Sequence, residues 1–292
     1  MWANATRARF GRGLGRYAFL TFLLSCAASP ARHESPNLER SVCGFKEPLA
    51  FWLWSRAAGG PDASRVAGLA DVEDVSLTTL DGRILRGYKL GATLAQGDAD
   101  RPRGYLLVAQ GNAMLADQII GQFRAFARAG YDVYIFDYRG YGRSQGRRRL
   151  AAILSDYGEI IDHLDAQAYS ERRFYGMSFG GIVLLDALKG KPGSRRVVID
   201  STPSRLSDYG CPTTHDPVNT LPEHASDLLL ITGRQDRVVT PKHSAELVAV
   251  AGDRGATVVQ DAKLGHPFMD GRTNRRLQSV RSFLLREDST NP

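Results

Sequence analysis

Apolar and polar residues alternate through Val75-Ser-Leu-Thr-Thr-Leu80 and again through Ile84-Leu-Arg-Gly-Tyr88, on either side of Asp81-Gly82. Alternation about Asp-Gly predicts a β-hairpin, because that dipeptide accepts the positive φ that a tight turn requires. Beyond it the pattern changes. Short apolar runs at 105–109, 131–136, 173–175, 196–199, 228–231 and 257–259 predict strands, and longer stretches at 116–129, 153–166, 179–188, 242–251 and 274–285 predict helices between and after them. Near-continuous apolar strands alternating with helices predict an α/β fold: a mostly parallel sheet with helices on both faces, made mixed by the leading antiparallel hairpin. In such a sheet the ligand site lies beyond the carboxyl ends of the strands, so the residues just after each strand carry the search for chemistry. Residues 203–226 are rich in proline and hold no long amphipathic pattern, which predicts a minimal cap and an open pocket, with 209–221 supplying part of its wall.

Composition fits one compact domain: 292 residues, 43% hydrophobic and 24% charged. The net charge of +7 suggests an anionic partner until its distribution is considered. Arg7, Arg9, Arg12 and Arg16 precede the apolar run 17–25 with no acid among them, and removing residues 1–25 with these four arginines lowers the charge from +7 to +3. That is ordinary for a soluble domain, and no nucleic-acid partner is expected. The run is shorter than the ~20 residues that span a bilayer as a helix, so residues 1–25 read as an export signal. Leu23-Leu24-Ser25-Cys26 resembles the bacterial lipobox, with Cys26 as the lipidated residue; plain secretion and an uncleaved N-terminal anchor are the alternatives. Residues 26–45 read as a tether and 46–292 as the folded domain. An exported lipoprotein would face the periplasm or exterior and meet the membrane surface through its lipid. Of the remaining cysteines, Cys43 and Cys211 form one disulfide in an oxidising compartment or stay as two free thiols. If bridged, they would pin the cap to the N-terminal segment. No cysteine pair has zinc-site spacing, and neither a metal nor an organic cofactor is expected.

Tyr175-Gly-Met-Ser178-Phe-Gly-Gly181 places G-x-S-x-G after a strand and before a helix. The chain turns sharply at such a serine, so Gly176 and Gly180 relieve the crowding and the hydroxyl stands clear of the sheet at a helix N-terminus. A serine hydroxyl needs a base. His33 lies in the tether, His163 in a helical run, His215 and His224 in the proline-containing loop and His243 near a helix start; His266 follows the last strand and precedes the last helix. The acid that orients the imidazole should lie between them in chain order. Asp236, just past a buried strand, is favoured, and Asp200 at the end of the preceding strand is the rival. The backbone amides of Phe179 and Asn112 are the expected oxyanion donors.

The elbow, Phe136-Asp137-Tyr-Arg-Gly140-Tyr-Gly142-Arg-Ser144-Gln-Gly146, Gly233-Arg-Gln-Asp236-Arg-Val-Val-Thr-Pro241 and Gly265-His266-Pro267 together resemble the α/β-hydrolase superfamily, nearest its serine aminopeptidase-like and monoacylglycerol lipase-like branch, over about 72–285. The resemblance implies the α/β-hydrolase fold and acyl transfer by Ser178, His266 and Asp236 on a small carboxyl ester, thioester or amide. It also implies that the 137–146 loop braces the site. Its glycines, spaced G-x-G-x-x-x-G, make no convincing dinucleotide fingerprint. Where the family usually has His-Gly this chain has Gln110-Gly111, so hydrogen bonds within that loop must be remade by an amide. An acyltransferase and a non-catalytic envelope binding protein remain alternatives on the same fold.

Overall fold

The structure is a computed structural model and describes residues 38–94, 101–191, 193 and 195–286. The chain divides into two units, Met1–Glu34 and Ser35–Pro292. The export signal and Cys26 lie outside the described residues, as does the tether before residue 38. Among the described residues no helix is long and apolar enough to cross a membrane.

Eight strands form one sheet: β1 (Val72–Thr78), β2 (Ile84–Leu90), β3 (Gly104–Ala109), β4 (Tyr131–Phe136), β5 (Glu171–Met177), β6 (Arg196–Asp200), β7 (Leu228–Gly233) and β8 (Thr257–Asp261). Their order across the sheet is β1-β2-β4-β3-β5-β6-β7-β8. The hairpin expected about Asp81-Gly82 is present, with Thr78 opposite Ile84, and β2 also runs antiparallel to β4. Every later pairing is parallel. Every residue of β3, β4, β6 and β7 is buried, whereas the two edge strands carry exposed positions. Complete burial follows from helices on both faces.

The helices are α1 (Lys46–Ala57), α2 (Ser64–Ala67), α3 (Ala116–Ile119), α4 (Arg124–Ala127), α5 (Leu150–Asp165), α6 (Phe179–Ala187), α7 (Pro217–Thr220), α8 (Pro241–Asp253) and α9 (Thr273–Leu284). Side-chain alternation along the strands feeds two cores. Tyr105, Leu107 and Ala109 pack with α5, α6 and α8, while Leu106 and Val108 pack with α3, α4 and α9. Two local expectations need correction. The stretch expected as one helix over 116–129 is α3, a 3₁₀ turn at Ile120–Phe123 and α4, with Gly121, a weak helix former, inside the turn. Helix α1 has no counterpart in the sequence reading: Leu49 to Trp54 is apolar on all sides, and Pro48 looks like a breaker. Pro48 is harmless because it sits in the first turn, where no intrahelical N–H partner exists. Buried Glu47 ties this end of α1 to its surroundings by accepting from the amides of Val42 and Cys43 upstream and of Leu150 at the start of α5.

The hairpin turn is tied to the site's supporting helix by a fully buried guanidinium. Arg139 donates to Asp81 at 2.5 and 3.0 Å and to Asp156 through Nε at 2.9 Å. Hydrogen bonding from Arg139 is the main reason that the Asp81 carboxyl is held down at about 2, while burial pushes Asp156 up to about 6. A depressed carboxyl contributes stability above its unfolded pKa and loses it as pH falls through its folded one, here between about 4 and 2. Asp81→Asn should therefore flatten the acid limb of the urea midpoint in that window. An unchanged slope would mean that this pair does not govern acid unfolding.

Candidate active site

Ser178 stands between β5 and α6 with φ 54° and ψ −119°, a strained backbone for a residue with a Cβ. The turn closes because its neighbours have none. A Cβ on Gly176 would lie 2.6 Å from the Gly180 carbonyl oxygen, and one on Gly180 would lie 2.0 Å from that of Ala109. The turn is held from the next strand, since Ser178 N donates to the Asp200 carbonyl at 2.7 Å and Thr202 Oγ1 donates to the Ser178 carbonyl at 3.0 Å. The serine is partly exposed at the amino end of α6, where first-turn amides have no helical partner. Phe179 N belongs to that turn, the position expected of an oxyanion donor.

Asp236 follows β7 and His266 follows β8, at the same carboxyl edge of the sheet as Ser178. His266 Nδ1 lies 2.9 Å from Asp236 Oδ2. A carboxylate only accepts, so Nδ1 carries the proton and Nε2 is left as the basic nitrogen. The other Asp236 oxygen accepts from the amides of Val238 and Val239 at 2.8 and 2.9 Å, which fixes the carboxyl plane. Burial pushes this carboxyl up, but the His266 ring and the two amides outweigh it and hold Asp236 below its usual value. Among the described residues no hydrogen bond joins Ser178 Oγ to His266. In serine hydrolases the corresponding contact is commonly loose without substrate.

Asp200, the rival acid, has a different task. Its carboxyl is wholly buried, which raises its pKa, and it is engaged by Arg276 Nη1 and by the Tyr175 hydroxyl at 2.9 Å. Arg276, also wholly buried, donates to the Gly265 carbonyl at 2.5 Å, and Asp270 Oδ2 accepts from Gly265 N at 2.7 Å. The His266 loop is thus anchored to the core by a guanidinium from α9. Arg276→Leu should lower stability by about 3–5 kcal/mol, because it strands the Asp200 charge in the interior. Urea unfolding measures it, and a loss below 1 kcal/mol would show that the pair is dispensable.

Opposite the serine, a Cβ on Gly111 would lie 3.9 Å from Ser178 Cβ, so the 110–113 loop faces Ser178. Gln110 is fully buried and donates through Nε2 to the Phe136 carbonyl at 2.9 Å, while its Oε1 has no partner among the described residues. The 137–146 loop supplies the remaining support. Tyr138 donates to the Gln110 carbonyl at 2.6 Å, Tyr141 donates to Asn112 Oδ1 at 2.5 Å, and Asp137 accepts from Ala116 N at 2.8 Å. Sequence reasoning did not single out Tyr138, Tyr141 or Arg276. The two tyrosines lie within the 137–146 loop that was expected to brace the site, though their partners were not foreseen, and Arg276 lies in a polar stretch 76 residues from Asp200, so nothing in the sequence marks its pairing.

The cap is short, as expected: two 3₁₀ turns at Ser207–Tyr209 and Thr213–His215, then α7. Buried Asp216 binds it together by accepting from the amides of Leu206 and Ser207. His215 pairs with Asp186 at 2.7 Å and so belongs to the cap's attachment to α6. A disulfide joins Cys211 to Cys43 across 168 residues and ties this cap to the segment leading into α1. From the other side Phe51 of α1 stacks edge-on against Phe179, with ring centres 5.5 Å apart. A separate open cleft of about 520 Å³ lies beside Asp236, Arg237 and Arg272. Its lining includes Asp236 and Gly265 but neither Ser178 nor His266.

A family model described as "Serine aminopeptidase, S33" matches residues 100–213, a stretch that includes the elbow and the 110–113 loop. Among curated proteins, the chain is 28% identical over 230 residues to the uncharacterized protein YfhR of Escherichia coli K12, covering 73% of this chain and 80% of that protein. It is 27% identical over 268 residues to the uncharacterized protein Rv2307c of Mycobacterium tuberculosis, covering 81% and 90%. Among solved structures, it resembles the Pyrococcus furiosus esterase Pf2001, with a TM-score of 0.58 and 16% identity over 78% of this chain and 96% of that one. It also resembles XC6422 of Xanthomonas campestris, an α/β serine hydrolase without a lid, with a TM-score of 0.55 and 16% identity over 76% and 98%. Sheet order, the strained serine turn and these neighbours agree: the chain has the α/β-hydrolase fold.

Proposed function

We propose that the protein is a serine hydrolase that cleaves a carboxyl ester through an acyl-enzyme, with Ser178 as nucleophile, His266 as general base and Asp236 as the group that orients it. The observation that carries this reading is the His266–Asp236 hydrogen bond at the same sheet edge as a serine in strained backbone. Support for a hydrolase in the broad sense comes from the matched family and the esterase neighbours. Ser178 Oγ adds to the acyl carbon as its proton passes to His266 Nε2. The amides of Phe179 and Asn112 receive the oxyanion, and the leaving alcohol takes the proton from the imidazolium. Water then repeats the sequence and releases the acid.

The short cap suits a small or medium acyl substrate reached from solvent. We further propose that the protein is exported and held at a membrane through lipid on Cys26, a reading supported by the basic and apolar start of the chain. Because one acyl chain anchors weakly, stable attachment would require a second contact or further acylation. A fluorophosphonate probe tests the enzymatic reading directly, followed by ester, thioester and peptide panels with product analysis in the presence of added alcohol. Labelling with hydrolysis of esters is the expected result. Acyl transfer to the added alcohol in preference to water would reassign the protein as an acyltransferase, and no labelling at all would leave a binding role.

A further inference from the structure

We propose that α1 docks on the surface of a phospholipid bilayer carrying anionic headgroups, with its outer face seated among them. Helices bury apolar side chains unless something outside the fold covers them. On α1 and the residue before it, Phe45 is 87% exposed, Leu49 59%, Trp52 48%, Leu53 52% and Trp54 42%. Phe45 precedes α1 and the other four lie on it, Trp54 also packing edge-on against Phe51 with ring centres 5.4 Å apart. Its inner face is accounted for by Glu47 and Phe51, which are buried.

Charge selects the occupant. Arg40, Lys46 and Arg56 are exposed, and the only acid from 40 to 61, Glu47, is buried and turned inward. Arg56 also holds its guanidinium over the Trp52 ring, 5.8 Å from its centre. Large aromatics and leucines beside basic groups, with the exposed acid just beyond the helix, Asp62, paired to Arg65, suit the boundary between acyl chains and anionic headgroups. The patch also lies at the end of the chain that carries the 17–25 apolar run and Cys26, so docking would supply the second contact that a single lipid requires. The surface reading stands without the hydrolase reading. Only its consequence rests on it: through Phe51 and Phe179, docking would bring the site to the water–lipid boundary.

The three tryptophans make the test direct. They are Trp2, Trp52 and Trp54, so in protein processed at Cys26, or in unprocessed protein carrying Trp2→Phe, all tryptophan emission comes from α1. The probe is vesicles of dioleoyl phosphatidylethanolamine and phosphatidylglycerol, with and without bromine on the acyl chains. Emission should shift to shorter wavelength and be quenched about twofold by the brominated lipid, consistent with rings at the acyl boundary. Leu49→Glu with Leu53→Glu, both at exposed positions, should weaken vesicle partitioning by about tenfold or more. Turnover of a water-soluble ester should stay unchanged in that variant, which separates failure of docking from failure of catalysis. Unquenched emission from vesicle-bound protein would overturn the proposal. So would emission already shielded from aqueous iodide without lipid, which would point to a second copy or the chain's own apolar segment on this face.

Discussion

Ser178→Ala is expected to abolish fluorophosphonate labelling and to lower kcat for ester hydrolysis by about 10⁶, the scale on which removing the nucleophile of a triad acts. The loss should appear in kcat with little change in KM, because the hydroxyl contributes bond formation and almost nothing to ground-state binding. Alanine keeps the Cβ that the strained turn already accommodates, so thermal unfolding should stay close to that of the parent protein. Retained labelling in the alanine variant would identify another nucleophile and end the assignment.

Asp236→Asn is expected to lower kcat by about 10⁴ while leaving the fold intact. The reason is local. Val238 and Val239 donate to one oxygen of the side chain, which an asparagine can keep, so its NH₂ is then forced toward His266 Nδ1. An amide donor there makes Nδ1 the acceptor and moves the proton to Nε2, the nitrogen that must be empty to receive the serine proton. The same substitution removes a carboxyl held below its usual value, so stability gained above the carboxylate range and lost as pH falls through the folded pKa should be reduced in the variant. A parallel Asp200→Asn variant separates the roles: its defect should be in urea stability, shared with Arg276→Leu. If Asp236→Asn loses only a few-fold in kcat, the acid of this site is elsewhere.

The disulfide and α1 change the meaning of the short cap. Residues 203–226 would make a loose flap by themselves, yet Cys211 is bound to Cys43 and Phe51 packs on Phe179. The N-terminal segment therefore acts as part of the cap. Mass spectrometry of the non-reduced protein should find one bridged peptide pair, and free thiols at both positions would remove this link.

Period and punctuation alone determined the sheet and most of its helices. Apolar runs of strand length gave β3, β4, β6 and β7, and Asp81-Gly82 gave the hairpin, because burial on two faces and a positive-φ turn each leave a local mark. Ser178, Gly176 and Gly180 were legible for the same reason, since a turn in which a Cβ on Gly180 would meet the Ala109 carbonyl at 2.0 Å tolerates only glycine there. Tertiary structure decided what depends on distance in space and not on spacing in sequence. It gave His266 to Asp236 and Asp200 to Arg276, although both acids end adjacent strands. It brought Tyr138 and Tyr141 to the loop that faces the serine. It also made a helix of an apolar stretch containing proline, because Glu47 tied it to the Val42 and Cys43 amides and Phe51 found a partner in Phe179. A carboxylate's partner is chosen by which cation the packed fold brings within hydrogen-bond reach; chain order favoured Asp236 for His266 but carried no record of Arg276 as the partner of Asp200.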